Sequence, residues 1–442
     1  MKSYSRAPVA ACILSLGLAA AAQAQSVAER FNARVGAQVD GMYPQLEAVY
    51  QDIHAHPELA FEETRTAAKL AGEMRALGFD VTEHVGKTGV VAVYRNGAGP
   101  TVLVRTELDA LPMEEKTGLP YASRAKATWQ GRETFVAHSC GHDVHMASWI
   151  GTARTLVALK DQWQGTLVFI AQPAEEAGAG AKAMLADGLF TRFPKPDIAF
   201  ALHTSPAPYS TVEYNVGAIT SNADSFEVTF KGRGGHGSAP HITIDPVVMA
   251  AHFINDVQTV VSREKDPFEF GVVTVGSVQA GSAGNIIPDS ALLRGTIRSY
   301  KPEVRAKLLE GLRRTAKAEA IMAGAPEPEV AITSSGLAVI NDERVVASTE
   351  AVLKAGLGAG NVHRVPPITA SEDFSEYGHA GVPSMFFFVG VVDPKQFADA
   401  QKPGGKPVPF NHSPLFAPVP EPSIKTAVKA MSLAVLNVVG TN

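Results

Sequence analysis

The chain has 442 residues, of which 45% are hydrophobic and 19% charged, and its formal net charge is −5 at pH 7. This is an ordinary globular composition, and the chain is long enough for two domains. The mild negative charge gives no reason to expect a nucleic acid or an anionic membrane surface as a partner.

The first 24 residues have the three-part layout of a secretory signal peptide. Lys2 and Arg6 precede an apolar run over residues 9–22, and Ala22-Gln23-Ala24 is a small-x-small cleavage site. The run is too short to cross a bilayer as a mature helix, and an interfacial or buried helix is the alternative. We therefore expect a signal peptide over residues 1–24 and a mature protein that is exported, either periplasmic or secreted.

Cys12 and Cys140 are the two cysteines of the chain. Removal of the leader leaves Cys140 alone, so no disulfide can form within the mature chain. A single thiol in an oxidising compartment is either buried and inert or protected by bonding to another group. The histidines beside Cys140 favour the second interpretation.

Beyond the leader, apolar runs typical of buried strands alternate with helical stretches. A helical pattern covers residues 26–77 and ends at Gly78. Strands are predicted at residues 90–94, 101–104, 166–171, 198–202 and 384–389, with helices at 140–159 and 179–189. This alternation predicts an α/β fold with a central sheet flanked by helices on both faces.

The middle of the chain has a different order of elements. Strands are predicted at residues 225–231, 271–278, 291–299 and 329–333, and helices at 246–261 and 302–322. This βαββαβ order is that of a small ferredoxin-like domain. We therefore predict a catalytic, metal-binding domain over residues 25–220 and 338–442, with residues 221–337 inserted as a lid and dimerisation domain.

Polar residues follow three predicted strands of the first domain. Glu107 and Asp109 follow one strand, Glu175 and Glu176 the next, and His203 a third. Ligands of open α/β sheets bind just beyond the carboxyl ends of the strands. Any one of these residues alone could be a solvated loop charge, but carboxylates and a histidine at three strand ends indicate a functional site.

The segment over residues 137–145 is the most specific signal in the chain. Cys140 and His142, separated by one glycine, can both face a single ion. A thiolate suits zinc or another borderline metal, whereas the alternative is a buried structural cysteine beside surface histidines. The adjacent Glu175 and Glu176 can divide two tasks, in which one coordinates an ion and the other abstracts a proton from water.

Six spaced motifs occur along the mature chain: His54-Ala-His56-Pro-Glu-Leu-Ala-Phe-Glu-Glu63, Cys140-Gly-His142-Asp143, Gln172-Pro-Ala-Glu175-Glu176, Gly234-Gly-His236-Gly-Ser-Ala-Pro-His241, Ser371-Glu-Asp373-Phe and Asn411-His412-Ser-Pro. Together they resemble the aminoacylase and carboxypeptidase group of metallopeptidases, the M20 family. The most similar branch contains hippurate hydrolases and plant hydrolases of indole-acetyl–amino acid conjugates. The resemblance covers nearly all of the mature chain.

This resemblance implies a metal centre with two divalent ions per chain, zinc or manganese. The implied ligands are Cys140, His142, Glu176, His203 and His412, with Cys140 as the bridge between the ions. Glu175 is implied to be the general base, and Asp109 the carboxylate that orients a ligating histidine.

The resemblance also implies roles for the inserted domain. His236 would polarise the scissile carbonyl. It could reach the metals by closure of the inserted domain, or it could be supplied by the partner subunit of a homodimer, which the resemblance favours. Asn285 and Arg298 would bind the carboxylate of the substrate, which an arginine fork matches with two hydrogen bonds. Two positions depart from the pattern of the branch, which usually has Asp in place of Glu107 and a small residue in place of Val144. The role of Glu107 is therefore open.

The predicted function is metal-dependent hydrolysis of the amide bond of N-acyl amino acids, or of short peptides with a free C-terminal carboxylate. An exported dipeptidase or deacetylase of the same family is an alternative with the same chemistry. An exported solute-binding protein is the alternative without catalysis, and it would need neither paired glutamates nor a cluster of metal ligands.

Overall fold

A computed structural model describes residues 7–441, so Lys2 and Arg6 of the predicted leader lie outside the described residues. The chain divides into two compact units, of which the first comprises Met1–Gly217, Ile340–Pro366 and Glu376–Asn442. The second unit comprises Ala218–Val339 and Pro367–Ser375. The sequence pattern assigns Pro367–Ser375 to the catalytic domain, but the fold groups this segment with the inserted one.

The first unit is built around an eight-stranded sheet. In order across the sheet, its strands are β1 (Asp80–Val85), β2 (Gly89–Asn96), β6 (Gly165–Gln172), β3 (Thr101–Glu107), β7 (Ile198–Pro208), β18 (Ser384–Val392), β8 (Val212–Tyr214) and β17 (Val362–Arg364). The four central strands β6, β3, β7 and β18 are parallel to one another, whereas β2 and β8 pair with the two sides of this group in the antiparallel sense. Each of the five strands predicted for this domain lies within one of these strands, so the predicted α/β fold is confirmed.

The central strands are buried on both faces, as their continuous apolar sequences predict. All nine residues of β18 are buried, including three consecutive phenylalanines. Shorter strands of the same region are β4 (Lys126–Trp129), which pairs with β5 (Arg132–Phe135), and β9 (Gly217–Ala218), which pairs with β16 (Ile340–Asn341).

Helices flank this sheet. They are α1 (Ala7–Ala55), α2 (Thr64–Ala76), α3 (His142–Ala158), α4 (Gly180–Ala186), α5 (Leu189–Arg192), α8 (Glu343–Leu357), α9 (Ser375–His379), α10 (Pro394–Ala400) and α11 (Pro420–Val439). α1 packs against α3, α8 and α11. The helix predicted over residues 26–77 is two helices, because Pro57 follows the end of α1 and Phe61 turns the chain with a φ of 63°. Within the described residues, no helix has the length and apolarity needed to cross a bilayer.

The second unit has the βαββαβ order. Its antiparallel sheet has the strand order β12 (Gly271–Ala280), β14 (Ser290–Ser299), β10 (Asn222–Lys231) and β15 (Glu329–Gly336). The helices α6 (Pro246–Thr259) and α7 (Pro302–Met322) pack on this sheet, and β11 (Gly235–His236) pairs with β13 (Ile286–Ile287) beside it. Phe226, Phe230, Phe253 and Leu308 lie in the core that the helices share with the sheet.

Candidate metal centre

The carboxyl ends of parallel strands carry several of the predicted site residues of the first unit. β3 ends at Glu107, just before Asp109, and β6 leads into the turn that contains Glu175. His203 lies within β7, which continues to Pro208, beyond the predicted end of the strand. Because neighbouring parallel strands end at one edge of the sheet, these side chains meet there.

Cys140 precedes α3 and does not belong to it. The helix begins at His142, two residues later than predicted, because Gly141 adopts a left-handed conformation with a φ of 88°. A Cβ at Gly141 would lie 2.5 Å from the Thr204 Oγ1, so this turn requires glycine. The turn brings the Cys140 Sγ to 3.3 Å from the His203 Nε2.

His142 is oriented by a backbone oxygen. Its Nδ1 donates a hydrogen bond to the carbonyl oxygen of Asp109 at 2.7 Å, which leaves Nε2 as the unprotonated nitrogen of the neutral ring. The Asp109 carboxylate, 3.7 Å from that Nδ1, instead accepts hydrogen bonds from the amides of Glu175 and Glu176, each at 3.0 Å. Asp109 therefore orients the histidine through its main chain and the two glutamates through its side chain.

Glu176 meets His412 from the C-terminal part of the chain, with the His412 Nε2 3.3 Å from the glutamate Oε2. The loop that carries His412 is tied to the cysteine segment. The His412 amide donates to the carbonyl of Ser139 at 2.8 Å, and the Asn411 side-chain amide donates to that of Cys140 at 2.9 Å. His412, although distant in sequence, is thus held beside the Cys140 thiol.

Two overlapping groups of ligand atoms share Cys140. The atoms of Cys140, His142 and His203 all lie within 4.8 Å of one another, as do those of Cys140, Glu176 and His412. This arrangement suits two neighbouring cations with the cysteine sulfur between them.

The protonation states of the site histidines and of Cys140 are compatible with metal binding. Burial lowers the pKa of His142 to about 3 and that of His203 to about 3. Burial and the neighbouring Glu176 raise the pKa of the Cys140 thiol well above its usual value. The imidazoles are therefore neutral and able to bind a cation, and a cation would also compensate a thiolate that burial otherwise disfavours.

Two buried polar atoms of the site have no hydrogen-bond partner among the described residues. They are the Nε2 of His142 and the Oε1 of Glu176. Buried polar atoms without partners are rare and costly, so their presence among candidate ligands is itself a sign of a bound group. The set of thiolate, imidazole and carboxylate donors suits a borderline divalent ion such as zinc, and manganese is also compatible.

Glu107, whose role the sequence leaves open, is buried and holds neighbouring side chains in place. It forms an ion pair with Arg105, and its Oε2 accepts from the His145 Nδ1 at 2.9 Å. Although burial opposes it, the charge of Arg105 lowers the pKa of Glu107 well below its usual range. The His145 Nε2 in turn accepts from the Thr204 amide at 2.8 Å, so Glu107 links β3, α3 and β7. Val144, the other departure, is buried in the main core.

His145, Thr204 and Asn411 support the site, although none of them is assigned a role from the sequence. Asn411 belongs to the C-terminal motif, and His145 lies in the cysteine segment, where it follows His142 by one helical turn on the same face of α3. The contacts of Thr204 and Asn411 depend on the tertiary fold.

The other three predicted site residues lie in the second unit. The carbonyl of Asn285 accepts from the Gly237 amide at 2.8 Å, next to the pairing of His236 with Ile286 in the ladder of β11 and β13. The Ser238 amide donates to the His236 Nδ1 at 3.1 Å, which leaves the proton of the neutral ring on Nε2. Arg298 lies on β14, and its buried Nη1 has no partner among the described residues.

Comparison with known proteins gives a consistent set of similarities. Residues 103–403 match the model of peptidase family M20/M25/M40, a span that includes every candidate site residue except His412. A hippurate hydrolase of Campylobacter jejuni is 38% identical over 338 residues, which are 75% of this chain and 84% of that protein. An N-acetylcysteine deacetylase of Bacillus subtilis is 35% identical over 344 residues, which are 77% of this chain and 86% of that protein.

A solved structure is also similar over most of its length. It is a dinuclear metal-binding peptidase of the M20 family from Bacillus subtilis, with a TM-score of 0.74 and 29% identity. The alignment covers 90% of this chain and 99% of that one.

Proposed function

The chain belongs to peptidase family M20/M25/M40 and is a hydrolase, and on this premise we propose that it hydrolyses the amide bond between an acyl group and the amino group of an amino acid. The observation that carries the proposal is the pair of ligand groups that share Cys140, beside the carboxylate of Glu175. Substrates of this kind are small molecules, such as hippurate-like N-acyl amino acids or short peptides with a free C-terminal carboxylate.

Two divalent ions fit the residues of this centre. Cys140, His142 and His203 would hold one ion, and Cys140, Glu176 and His412 the other. When bound, such ions lower the pKa of water and polarise a carbonyl group. The dinuclear M20 peptidase from Bacillus subtilis supports the number of ions, and the mixed donor set makes zinc and manganese the candidates.

Glu175 is suited to move the proton. Its Oε2 lies 3.9 Å from the His142 Nε2, and its backbone amide is held by Asp109. A carboxylate in this position can take a proton from the attacking water and later pass it to the leaving amine. Asp109 keeps this side chain in place, so it acts through Glu175 and does not itself react.

The second unit carries groups suited to the substrate. Because the His236 Nδ1 accepts from the Ser238 amide, the ring N–H lies at Nε2, which can donate to an oxygen that becomes negative in the transition state. The Nη1 of Arg298, which has no partner among the described residues, supports a role in binding a carboxylate, and Asn285 is hydrogen-bonded to Gly237, the residue after His236. We propose that a homodimer supplies His236 to the metal centre of the partner subunit.

Two alternatives were open for the function. Membership of a hydrolase family, together with relatives that are hydrolases, decides against a solute-binding protein. The deacetylase alternative has specific support in the 35% identical N-acetylcysteine deacetylase, whereas a dipeptidase would use the same centre on a different leaving group.

The test is a hydrolysis screen with the protein reconstituted with zinc or manganese. The panel compares benzoyl- and acetyl-amino acids with dipeptides and with amides that lack the free carboxylate. We expect N-acyl amino acids to be cut, amides without the carboxylate to be poor substrates, and elemental analysis to find about two ions per chain. Activity on none of the panel, or full activity after chelation with no metal bound, would overturn the proposal.

A further inference from the structure

Three consecutive backbone amides lead into the two glutamates of the metal centre, and two buried carboxylates hold all three. The Ala174 amide donates to the Glu63 Oε1 at 2.8 Å. The amides of Glu175 and Glu176 donate to the two oxygens of Asp109, each at 3.0 Å. The resemblance to the M20 family gave Asp109 a role, but Glu63 had none.

Ala174 is the position in this turn that needs support. It is fully buried and has a φ of 51°, in the left-handed region that residues with a Cβ rarely adopt. Its own carbonyl accepts from the amides of Ala179 and Gly180, each at 3.2 Å. A Cβ at Gly180 would lie 1.5 Å from the carbonyl oxygen of Pro173, so the turn is closed too tightly for a side chain there.

Glu63 holds this turn through hydrogen bonds to its carboxylate. Its carboxylate is fully buried, directly before α2, and it has three donors. The Oε1 also accepts from the Phe61 amide at 2.9 Å, and the Oε2 accepts from the Thr88 hydroxyl. The carboxylate therefore connects the loop between α1 and α2 to the turn that follows β6.

We propose that Glu63 is a positioning residue for Glu175 and Glu176. By holding the Ala174 amide, it keeps the backbone in the left-handed conformation that directs the following two side chains into the metal centre. The inference rests on the proposed roles of those glutamates, but the hydrogen bond itself can be tested without them. It also assigns a task to the last residue of the stretch from His54 to Glu63, which the metal centre leaves unused.

The first measurement is amide hydrogen exchange in the metal-free protein. In the unaltered chain, we expect the amides of Ala174, Glu175 and Glu176 to be protected by about 100-fold or more relative to free peptide. Glu63→Leu removes every acceptor at similar volume, and it should accelerate exchange at Ala174 by about tenfold or more. Glu63→Gln should remain close to the parent, because its oxygen serves the two amides and its amino group can donate to Thr88.

Kinetics provide the second measurement. Glu63→Leu should lower kcat by about 10- to 100-fold with little change in KM, because the general base is displaced while the substrate contacts remain. Adding Ala174→Gly should restore part of kcat, since glycine adopts a positive φ without strain. Glu319→Gln, at a buried carboxylate on α7 of the second unit, is the control for burial alone and should leave kcat unchanged.

The outcomes separate this inference from the proposed function. Rapid exchange at Ala174 in the unaltered protein would overturn the positioning role, even if Glu63→Leu does not fold. Unchanged exchange and kcat in a folded Glu63→Leu protein would overturn it as well. If exchange at Ala174 is accelerated in Glu63→Leu but the unaltered protein cuts no N-acyl amino acid, the positioning of the turn is supported and the proposed function is refuted.

Discussion

Glu175 and Glu176 are adjacent in sequence, yet their side chains have different neighbours. Glu176 lies beside His412. Burial would raise the pKa of the Glu176 carboxyl, but the hydrogen bond to His412 outweighs burial and lowers it. Glu175 faces His142 at 3.9 Å and forms a further group of potential ligand atoms with His142 and Glu176. The two carboxylates differ in that Glu176 pairs with His412, and on this difference we assign Glu176 as the ligand and Glu175 as the base.

Exchanging each glutamate for its amide should separate the two roles. Glu175→Gln is expected to keep both ions and to lose about 10²- to 10⁴-fold in kcat, since a general base contributes that much. Glu176→Gln should lose metal as well as activity, because an amide is a weaker ligand than a carboxylate. Elemental analysis and kcat, measured on both variants, show which glutamate binds metal and which transfers the proton.

Glu343→Gln, at an exposed position of the first unit, is the control that should change neither quantity. If Glu175→Gln were the variant that lost metal, and Glu176→Gln kept it, the assigned roles would be reversed.

At the scale of elements, α1 and α3 are joined by a buried charged network. The His54 Nδ1 of α1 lies 2.6 Å from the Asp143 carboxylate in the first turn of α3, and its Nε2 lies 3.1 Å from Glu115. Burial alone would lower the pKa of His54, but hydrogen bonds to Asp143 and Glu115 outweigh burial and raise it to about 10. The imidazole is therefore positively charged at neutral pH, between two carboxylates.

This network predicts a dependence of stability on pH. Because the pKa of His54 is higher in the folded state, its contribution is fully present below the unfolded value of 6.5 and is lost as pH rises toward about 10. The difference in unfolding free energy between the parent and His54→Gln should thus be on the order of a few kcal/mol near pH 6 and should shrink toward pH 10. Denaturant unfolding at several pH values measures it.

His363→Gln serves as the control, since His363 is exposed, and it should give no such trend. A difference between the parent and His54→Gln that stays constant from pH 6 to pH 10 would show that His54 is not held in its charged form.

At the scale of the whole molecule, the candidate site residues lie in both units of the chain. If His236 acts across a two-fold dimer, His236→Ala and Glu175→Gln should each be inactive alone but should recover activity when mixed. In a mixed dimer, one site again has both groups, so about a quarter of the parent activity is expected at full exchange of subunits. Activity after refolding the mixture is the measurement.

Subunit exchange must be shown independently, for example with differently tagged chains. A mixture that exchanges subunits and remains inactive would mean that His236 acts within its own chain, or has no part in the reaction.

The compartment is a further prediction for the whole molecule. We propose that the chain is exported and that cleavage after Ala24 exposes Gln25 as the new N-terminus. N-terminal sequencing of protein from the extracytoplasmic fraction tests this directly. Recovery of chains that still begin with Met1 would contradict it, and replacing Ala22 and Ala24 by bulky residues should block processing.

The sequence by itself determined the α/β fold, the βαββαβ order of the inserted segment and the identity of the candidate ligands. These features are local, since strands are short apolar runs and the ligands lie in short motifs or at strand ends. One of its errors was local too. The helix predicted from Cys140 begins at His142, because the left-handed Gly141 intervenes.

Only the tertiary structure decided how the ligands are held. The Asp109 carboxylate binds amides 66 and 67 residues away, Glu107 binds His145 at a separation of 38, and Glu63 binds Ala174 at a separation of 111. No residue pattern encodes such pairs, because each depends on where two distant segments of the chain meet. Sequence therefore specified which groups can bind metal, and the path of the backbone specified which oxygen or amide keeps each of them in position.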